Sequence, residues 1–479
     1  MKYFRIVILV ILAVSVFQLF IIFSYPDIDT DSYIHFVISR NLLSEPSNLS
    51  LHWVWLPLFH YVQMFFVFTG MGFEFVRVLN VMLYISSAVL VFLYLKSRQH
   101  KNSLKIAAVA SLTCILFPLG FLMGTTAQSE ILFMLLVFLF AVLYEKKKFV
   151  AASVILSFTV MLRYESWAVV FFFLLLKIFE SLKNKKFKPD LSYLSVILPV
   201  IVIFIWSLLR IPFDGKFLAY IFDTKEFVTG AIEENYSYQN DPLIIIDELL
   251  HYTLWIPLIY TGFTLFLIIF GLKKAVKNHP AVFLCGISIL FFITLSWIFK
   301  SSLGLNRHFT ALIPFCSVCA GYGFFNVTDY IEEKTGKNYQ KRILILFLIN
   351  AVVLFATWSY VYLGEFKSGF PERMQTAEFI KQLSPDKKIF NNDAVLEVLG
   401  NFDKNRFEKY WLVDDEKTAV YLTLKANEYG EVYIVLPENS FDRITSMGDI
   451  IFYSDYNKRT KTRLLIVVIK AKNYAHFVN

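Results

Sequence analysis

Cysteine is scarce in this chain and charge is thin. The four cysteines among 479 residues, Cys114, Cys285, Cys316 and Cys319, all fall in apolar segments, so disulfides carry no information about the compartment. Cys316 and Cys319 form a C-x-x-C without companion His or Cys ligands, and they read as small apolar helix residues rather than a zinc or redox site. No glycine-rich phosphate loop occurs, which leaves nucleotide binding without a motif. Charged residues make up only 18% of the chain, against 57% hydrophobic and 18% aromatic, with a mean hydropathy of +0.57. That balance excludes an ordinary soluble protein and identifies a polytopic membrane protein. The net charge of +8 is no sign of nucleic acid, because the surplus cations sit in short loops between apolar runs and suit anionic lipid headgroups.

What is present is a series of apolar runs from residue 4 to residue 363, each about 20 residues long, the length that crosses about 30 Å of hydrocarbon. The first follows a basic flank, Lys2 and Arg5, and no A-x-A-like cleavage site succeeds it. It reads as an uncleaved anchor with its N-terminus in the cytoplasm. Basic clusters at Lys96-Arg98-Lys101-Lys105, Lys146-Lys147-Lys148, Lys183-Lys185-Lys186-Lys188 and Lys273-Lys274-Lys277 belong inside by the positive-inside rule. The acidic loop from Arg210 to Tyr252, with Asp214, Asp241 and Asp247 among its acids, belongs outside. Parity then allows one crossing between the first span and Lys96. The run 76–95 is assigned to it, and the aromatic, proline-containing stretch 53–70 to a helix lying at or re-entering the outer interface. Further spans fall at 104–122, 129–144, 149–162, 165–180, 191–209, 253–272, 281–299, 308–325 and 343–363, which makes about eleven transmembrane helices. The fold class is thus a polytopic α-helical membrane protein with a large first external loop bearing juxtamembrane helices. The domains are 1–363, a transmembrane module, and 364–479, a small soluble α/β domain outside the membrane.

In that tail, helical spacing covers 372–383 and 416–428, and short apolar runs predict strands at 388–391, 431–436, 450–453 and 464–469. Asp414-Asp415-Glu416 reads as a solvated helix start rather than a metal site.

The topology gathers ionisable groups on the external face. Asp27, Asp29 and Asp31 follow the first span, Gln128-Ser129-Glu130 opens the fourth, Arg163-Tyr164-Glu165 joins the fifth to the sixth, and Asn306-Arg307-His308 opens the tenth. Any one of them alone reads equally as a snorkelling charge, but their convergence points to a site. A carboxylate can take a proton from an attacking hydroxyl, a second acid can orient the acceptor or hold a cation, and arginines can bind a departing phosphate. Asp29 and Asp31, two apart, share one side of an extended loop as a metal pair would. The divalent cation they would take is Mg2+ or Mn2+.

The run from Asp31-Ser32-Tyr33 to Arg40-Asn41-Leu42-Leu43 resembles the first external loop of the glycosyltransferase C superfamily. In the same order, Trp55-Leu56-Pro57-Leu58-Phe59-His60-Tyr61 resembles the family's proline-leucine-aromatic helix, and Phe75-Val76-Arg77-Val78-Leu79-Asn80 the segment after it. Ser129-Glu130-Ile131-Leu132-Phe133 is similar to its Ser-Glu-Pro-Leu-Phe pattern, Leu162-Arg163-Tyr164-Glu165 to its Thr-Arg-Pro-Glu, and Arg307-His308-Phe309 with Pro314 to its late Arg-Tyr-x-x-Pro element. The likeness is greatest to family 39, the protein mannosyltransferases and lipid A aminoarabinose transferases. It implies a membrane transferase that uses a dolichyl- or undecaprenyl-phosphate sugar donor on the extracytoplasmic face, with a lipid, glycan or protein acceptor. It further implies Asp31 as the catalytic acid, Glu130 as the second acid, and Arg307 with Arg163 at the donor phosphate. Asp29, Tyr33, His35, Arg40, Glu165 and His308 would line the acceptor side or the cavity. Two departures stand out: Ser32 occupies a position where an acid is common, and Asp29 is an additional carboxylate. The tail has no Trp-Trp-Asp motif, which argues against transfer of a whole oligosaccharide. The alternatives are a secondary transporter or flippase for a lipid-linked or anionic substrate, or a structural membrane subunit.

Overall fold

A computed structural model describes residues 2–98, 102–183, 190–235, 243–402, 406–408, 415–438, 445–457, 459 and 461–471. Lys101, Lys185, Lys186, Lys188, Asp241 and Asp414, named above, lie outside the described residues. The chain divides into two compact units, Met1–Phe23 with Ile38–Leu363, and Ser24–Val37 with Gly364–Asn479. The Asp-bearing segment 24–37 therefore groups with the C-terminal unit, whereas the sequence division counted it in the membrane module.

The first unit is helical. It begins with α1 (Lys2–Ser24), followed by α2 (Thr30–Ser44), which starts in the segment 24–37, then α3 (Leu58–Phe68) and α4 (Phe73–Lys96). After these come α5 (Ser103–Ile115), α6 (Pro118–Thr125), α7 (Glu130–Glu145), α8 (Phe149–Val160) and α9 (Glu165–Lys183). The series continues with α10 (Leu194–Asp214), α11 (Ala219–Asn235), α12 (Leu243–Leu250), α13 (Ile256–Thr261) and α14 (Thr264–Asn278), and ends with α15 (Pro280–Ile298), α16 (Ile313–Thr335) and α17 (Gln340–Ser368).

Among the described residues six helical stretches are long and apolar enough to cross a membrane: Tyr3–Ser24, Phe73–Lys96, Leu191–Asp214, Pro280–Ile298, Asn306–Thr335 and Gln340–Gln382. A seventh results if α5 and α6, bent by 56°, count as one. Apolar side chains along α1, among them Leu9, Leu12, Val16, Phe20 and Phe23, stand more than half exposed. A water-soluble core would not leave such a face bare, so this is an integral membrane protein whose helices face lipid. The stretch 53–70 holds only the 11-residue α3, too short to span, and α8 has 12 residues.

Two expected spans are broken, and each break has a visible cause. Pro118 opens α6 and ends the helix expected over 104–122 near Leu116. The Tyr84 hydroxyl covers the freed carbonyls there, lying 2.7 Å from Cys114 O, 3.1 Å from Ile115 O and 3.2 Å from Phe117 O. The span expected over 253–272 is a π-helical turn, α13 and α14, broken at Gly262, whose φ of 50° suits glycine. Asn350 of α17 repairs that break: its Nδ2 donates to Thr261 O at 3.1 Å, and its Oδ1 accepts from Phe263 N at 3.1 Å. Away from water such groups must be paired within the protein, and polar residues on apolar helices do it here.

α14 and α16 pack backbone to backbone. A Cβ added to Gly323 would collide with Leu267 O, and one added to Gly271 with Cys319 O. Small residues permit this approach, and Cys319 belongs to the same stripe as a free, buried thiol.

The second unit carries α18 (Pro371–Gln382), α19 (Ala394–Leu399), α20 (Asp415–Tyr429) and a five-stranded sheet. Its strands are β1 (Ile389–Phe390), β2 (Phe407–Glu408), β3 (Glu431–Pro437), β4 (Asp449–Tyr453) and β5 (Leu464–Lys470), in the order β2-β1-β3-β5-β4. β1 is parallel to β2 and β3, and β5 is antiparallel to β3 and β4. The central strands are apolar on both faces because both are covered. Val432, Ile434, Leu436, Leu465 and Val467 pack with Leu422 and Ala426 of α20, while Tyr433, Val435, Ile466 and Val468 pack with Ala377, Ile380 and Leu396 of α18 and α19.

Candidate active site

In the first unit, three chain segments far apart in sequence meet at helix ends. Glu130 opens α7, Glu165 opens α9, and Arg307 with His308 lies in the 3-10 turn before α16. Both carboxylates stand where the helix dipole is positive, which favours their charge by about 0.3–1 kcal/mol each, more when buried.

Arg163, in the turn between α8 and α9, is the hub. Its Nη1 donates to Glu130 Oε1 at 2.7 Å and to Ser129 Oγ at 3.3 Å. Its Nε and Nη2 donate to Glu165 Oε1 at 3.1 and 2.8 Å, and Nη2 also donates to His308 Nδ1 at 2.8 Å. These contacts engage all three nitrogens of the guanidinium. In this arrangement Arg163 binds two carboxylates together. His308 Nδ1 also lies 3.2 Å from Glu165 Oε1. His308 Nδ1 thus faces both a guanidinium and a carboxylate, and the ring's tautomer sets which of the two it bonds.

Glu130 is nearly closed off, with 2% of its surface exposed, whereas the side chains of Arg163, Arg307 and His308 keep 14–17%. Arg307 Nε stands 3.5 Å from Glu130 Oε1, an ion-pair distance beyond hydrogen-bond length. The second oxygen of Glu130, Oε2, is buried without a hydrogen-bond partner among the described residues. A carboxylate oxygen in that state can accept a hydrogen bond from a hydroxyl.

The non-helical stretch before Glu130 is held by residues to which sequence reasoning gave no role. Asn80 Nδ2 donates to Thr126 O and Gln128 O, both at 2.7 Å, and Arg77 Nε donates to Thr125 O at 2.8 Å. Gln63 Nε2 reaches Ala127 O at 3.3 Å and accepts from Ser39 Oγ at 3.2 Å. Tyr252 donates to Leu305 O at 2.9 Å, beside Arg307 and His308. Arg77 and Asn80, three apart and buried on an otherwise apolar helix, were the available signal.

Asp29, Asp31, Tyr33 and His35 belong to the second unit. Asp27 Oδ1 accepts from Asp29 N, and Asp29 Oδ1 accepts from Asp31 N, both at 3.0 Å. Asp29 thus caps α2, and Asp31 stands in its first turn, partly exposed. The extended loop expected around Asp29 and Asp31 is instead a capped helix start, because a short carboxylate readily bonds the amide two residues on. Among the described residues no group of three or more His, Cys, Asp and Glu side chains is arranged to hold a metal. Tyr33 is buried and donates to Asp27 O at 3.1 Å, and His35, two residues on, is buried as well. Arg40, half-buried on the same helix, counts with the first unit.

No family model and no curated protein matches this sequence. Solved structures do share its architecture. ArnT from Cupriavidus metallidurans, crystallised with undecaprenyl phosphate, aligns with a TM-score of 0.65 at 12% identity over 99% of this chain and 98% of that one. Its apo form gives 0.67 at 13% identity over 97% and 98%. The apo oligosaccharyltransferase of Archaeoglobus fulgidus gives 0.54 at 9% identity, over 89% of this chain and 69% of its own. The chain shares the fold of these membrane proteins.

Proposed function

We propose that this protein is an integral membrane glycosyltransferase that moves a monosaccharide from a polyprenyl-phosphate donor to a lipid, glycan or protein acceptor. The observation that carries the reading is the buried cluster of Glu130, Arg163, Glu165, Arg307 and His308, set at helix ends in a chain whose fold matches, along its length, a protein crystallised with undecaprenyl phosphate. Such a cluster is costly to build within a membrane protein and is retained where a polar ligand is handled.

In the reaction the acceptor hydroxyl oxygen attacks the anomeric carbon, the bond from that carbon to the phosphate oxygen breaks, and the configuration inverts. Asp31 takes the hydroxyl proton as general base. The electron pair leaves with the polyprenyl phosphate, and Arg307 stabilises its growing charge. Glu130 Oε2 accepts a hydroxyl of sugar or acceptor and fixes its orientation. Arg163 and Glu165 keep Glu130 in place, and His308 stands beside both of them. Loop charges favour about eleven crossings, with the active site and the C-terminal unit outside the membrane.

Purified protein in nanodiscs is incubated with labelled polyprenyl-phosphate sugars and compared with Asp31→Asn. Transfer or donor hydrolysis that vanishes in the variant is the expected result; turnover that persists undiminished removes Asp31 from the chemistry. Substrate flux into proteoliposomes without a lipid carrier would replace the enzyme with a transporter.

A further inference from the structure

The segment that carries Asp27, Asp29 and Asp31 is fastened to the C-terminal unit at three points. Arg459, in the turn between β4 and β5, donates from Nη2 to Ile28 O at 3.1 Å and from Nη1 to Glu365 O at 3.3 Å. The ring of Tyr33 meets the edge of Phe370 with centroids 6.0 Å apart at 84°, and Arg459 lies over that same Phe370 ring at 5.8 Å. Gly369 abuts Pro26 so closely that an added Cβ would lie 3.1 Å from its Cγ.

The clamp is itself anchored in folded structure. Arg459 N donates to Asn457 Oδ1 at 2.9 Å, and Asn457 pairs with Thr462 across the turn. The Asn457 amide donates to the buried carboxylate of Glu372 in the first turn of α18, which is also paired with Arg373. Arg373 in turn bonds Asp393, the cap of α19, at 2.6 Å. Asp31 is therefore three residues from a backbone carbonyl held by a guanidinium that the sheet of the second unit fixes in place.

We propose that Arg459 is a positioning residue for Asp31: the C-terminal unit sets the base by gripping the Ile28 carbonyl while Phe370 seats Tyr33. This rests on the reading of Asp31 as general base. A base misplaced by about 1 Å loses on the order of 10²-fold in rate, so a grip on the segment that bears it is a lever on turnover. Substrate affinity need not change, because Arg459 does not touch substrate in this scheme.

The test uses the full chain in nanodiscs and four proteins: wild type, Arg459→Ala, Arg459→Lys, and Arg463→Ala, which removes a neighbouring arginine paired with Glu438 instead. Amide hydrogen exchange over residues 24–37 is measured without substrate, and kcat and KM are measured with the donor that wild type uses. Arg459→Ala should speed exchange in 24–37 and lower kcat by about 10–100-fold with KM within about twofold. Arg459→Lys should recover part of both, and Arg463→Ala should change neither. Unaltered exchange in Arg459→Ala overturns the clamp, and faster exchange with full kcat overturns the positioning role. If wild type transfers no sugar from any donor, the catalytic reading and the positioning role that rests on it both fail. The exchange result then decides the clamp alone.

Discussion

The acids of Glu130 and Glu165 and those of Asp27, Asp29 and Asp31 look alike in sequence, each next to a helix start, yet the structure uses them in opposite ways. Glu130 and Glu165 reach across helix ends to Arg163. Asp27 and Asp29 each accept from the amide two residues along their own backbone and fold it into a helix start. The difference is one methylene. An aspartate is short enough to bond its neighbour's amide, whereas a glutamate extends far enough to find a partner on another element. Within the Asp group, Asp31 is the member beyond the cap, in the first turn of α2.

That contrast can be broken at several places. Asp31→Asn should cost the most, about 10²–10⁴-fold in kcat with the fold intact, as loss of a general base does. Circular dichroism and a turnover assay together check it. Arg307→Ala should lower transfer by about 10²–10³-fold as phosphate stabilisation is lost, with Arg307→Lys intermediate; equal donor hydrolysis by all three proteins would remove Arg307 from the phosphate site.

Arg163→Ala should act first on stability. Two buried carboxylates would lose their shared partner, costing about 3–5 kcal/mol, and thermal unfolding in detergent should show it whether or not substrate is present. A variant that unfolds like wild type but no longer binds donor would return Arg163 to the phosphate. Gly323→Leu should destabilise the α14–α16 contact by about 1–3 kcal/mol, since its side chain meets the Leu267 carbonyl.

The smallest effect is expected at Asp29. Asp29→Ala should cost about 1 kcal/mol for the lost cap, while Asp29→Asn, which caps equally well, should keep both stability and turnover. If Asp29→Asn falls as far as Asp31→Asn, the charge of Asp29 belongs to the chemistry and the contrast collapses.

The strands of the second unit were legible because a two-residue period or a short apolar run is a local signal. Those expected at 431–436 and 464–469 appear as β3 and β5. β2 was not foreseen: Phe407–Glu408 has two residues and is defined by its pairing with β1, which is not a local property. Among the apolar runs, length and composition identify a spanning helix but not an interruption that other helices repair. Pro118 and Gly262 are visible as letters, yet only the fold brings Tyr84 and Asn350 to the carbonyls and amides they expose.

The sequence alone determined that the chain enters a membrane, since apolar length and loop charge are additive along it and need no partner to be read. It also marked Glu130, Arg163, Glu165, Arg307 and His308, because ionisable groups at the ends of apolar helices stand out one by one. Tertiary structure alone decided what each does there. Arg163 contacts two acids, a histidine and a serine, Asp29 caps α2, and residues 24–37 group with the C-terminal unit. A hydrogen bond is a relation between two places in the fold, and which N–H groups remain to meet a substrate is known only after all the others have been matched.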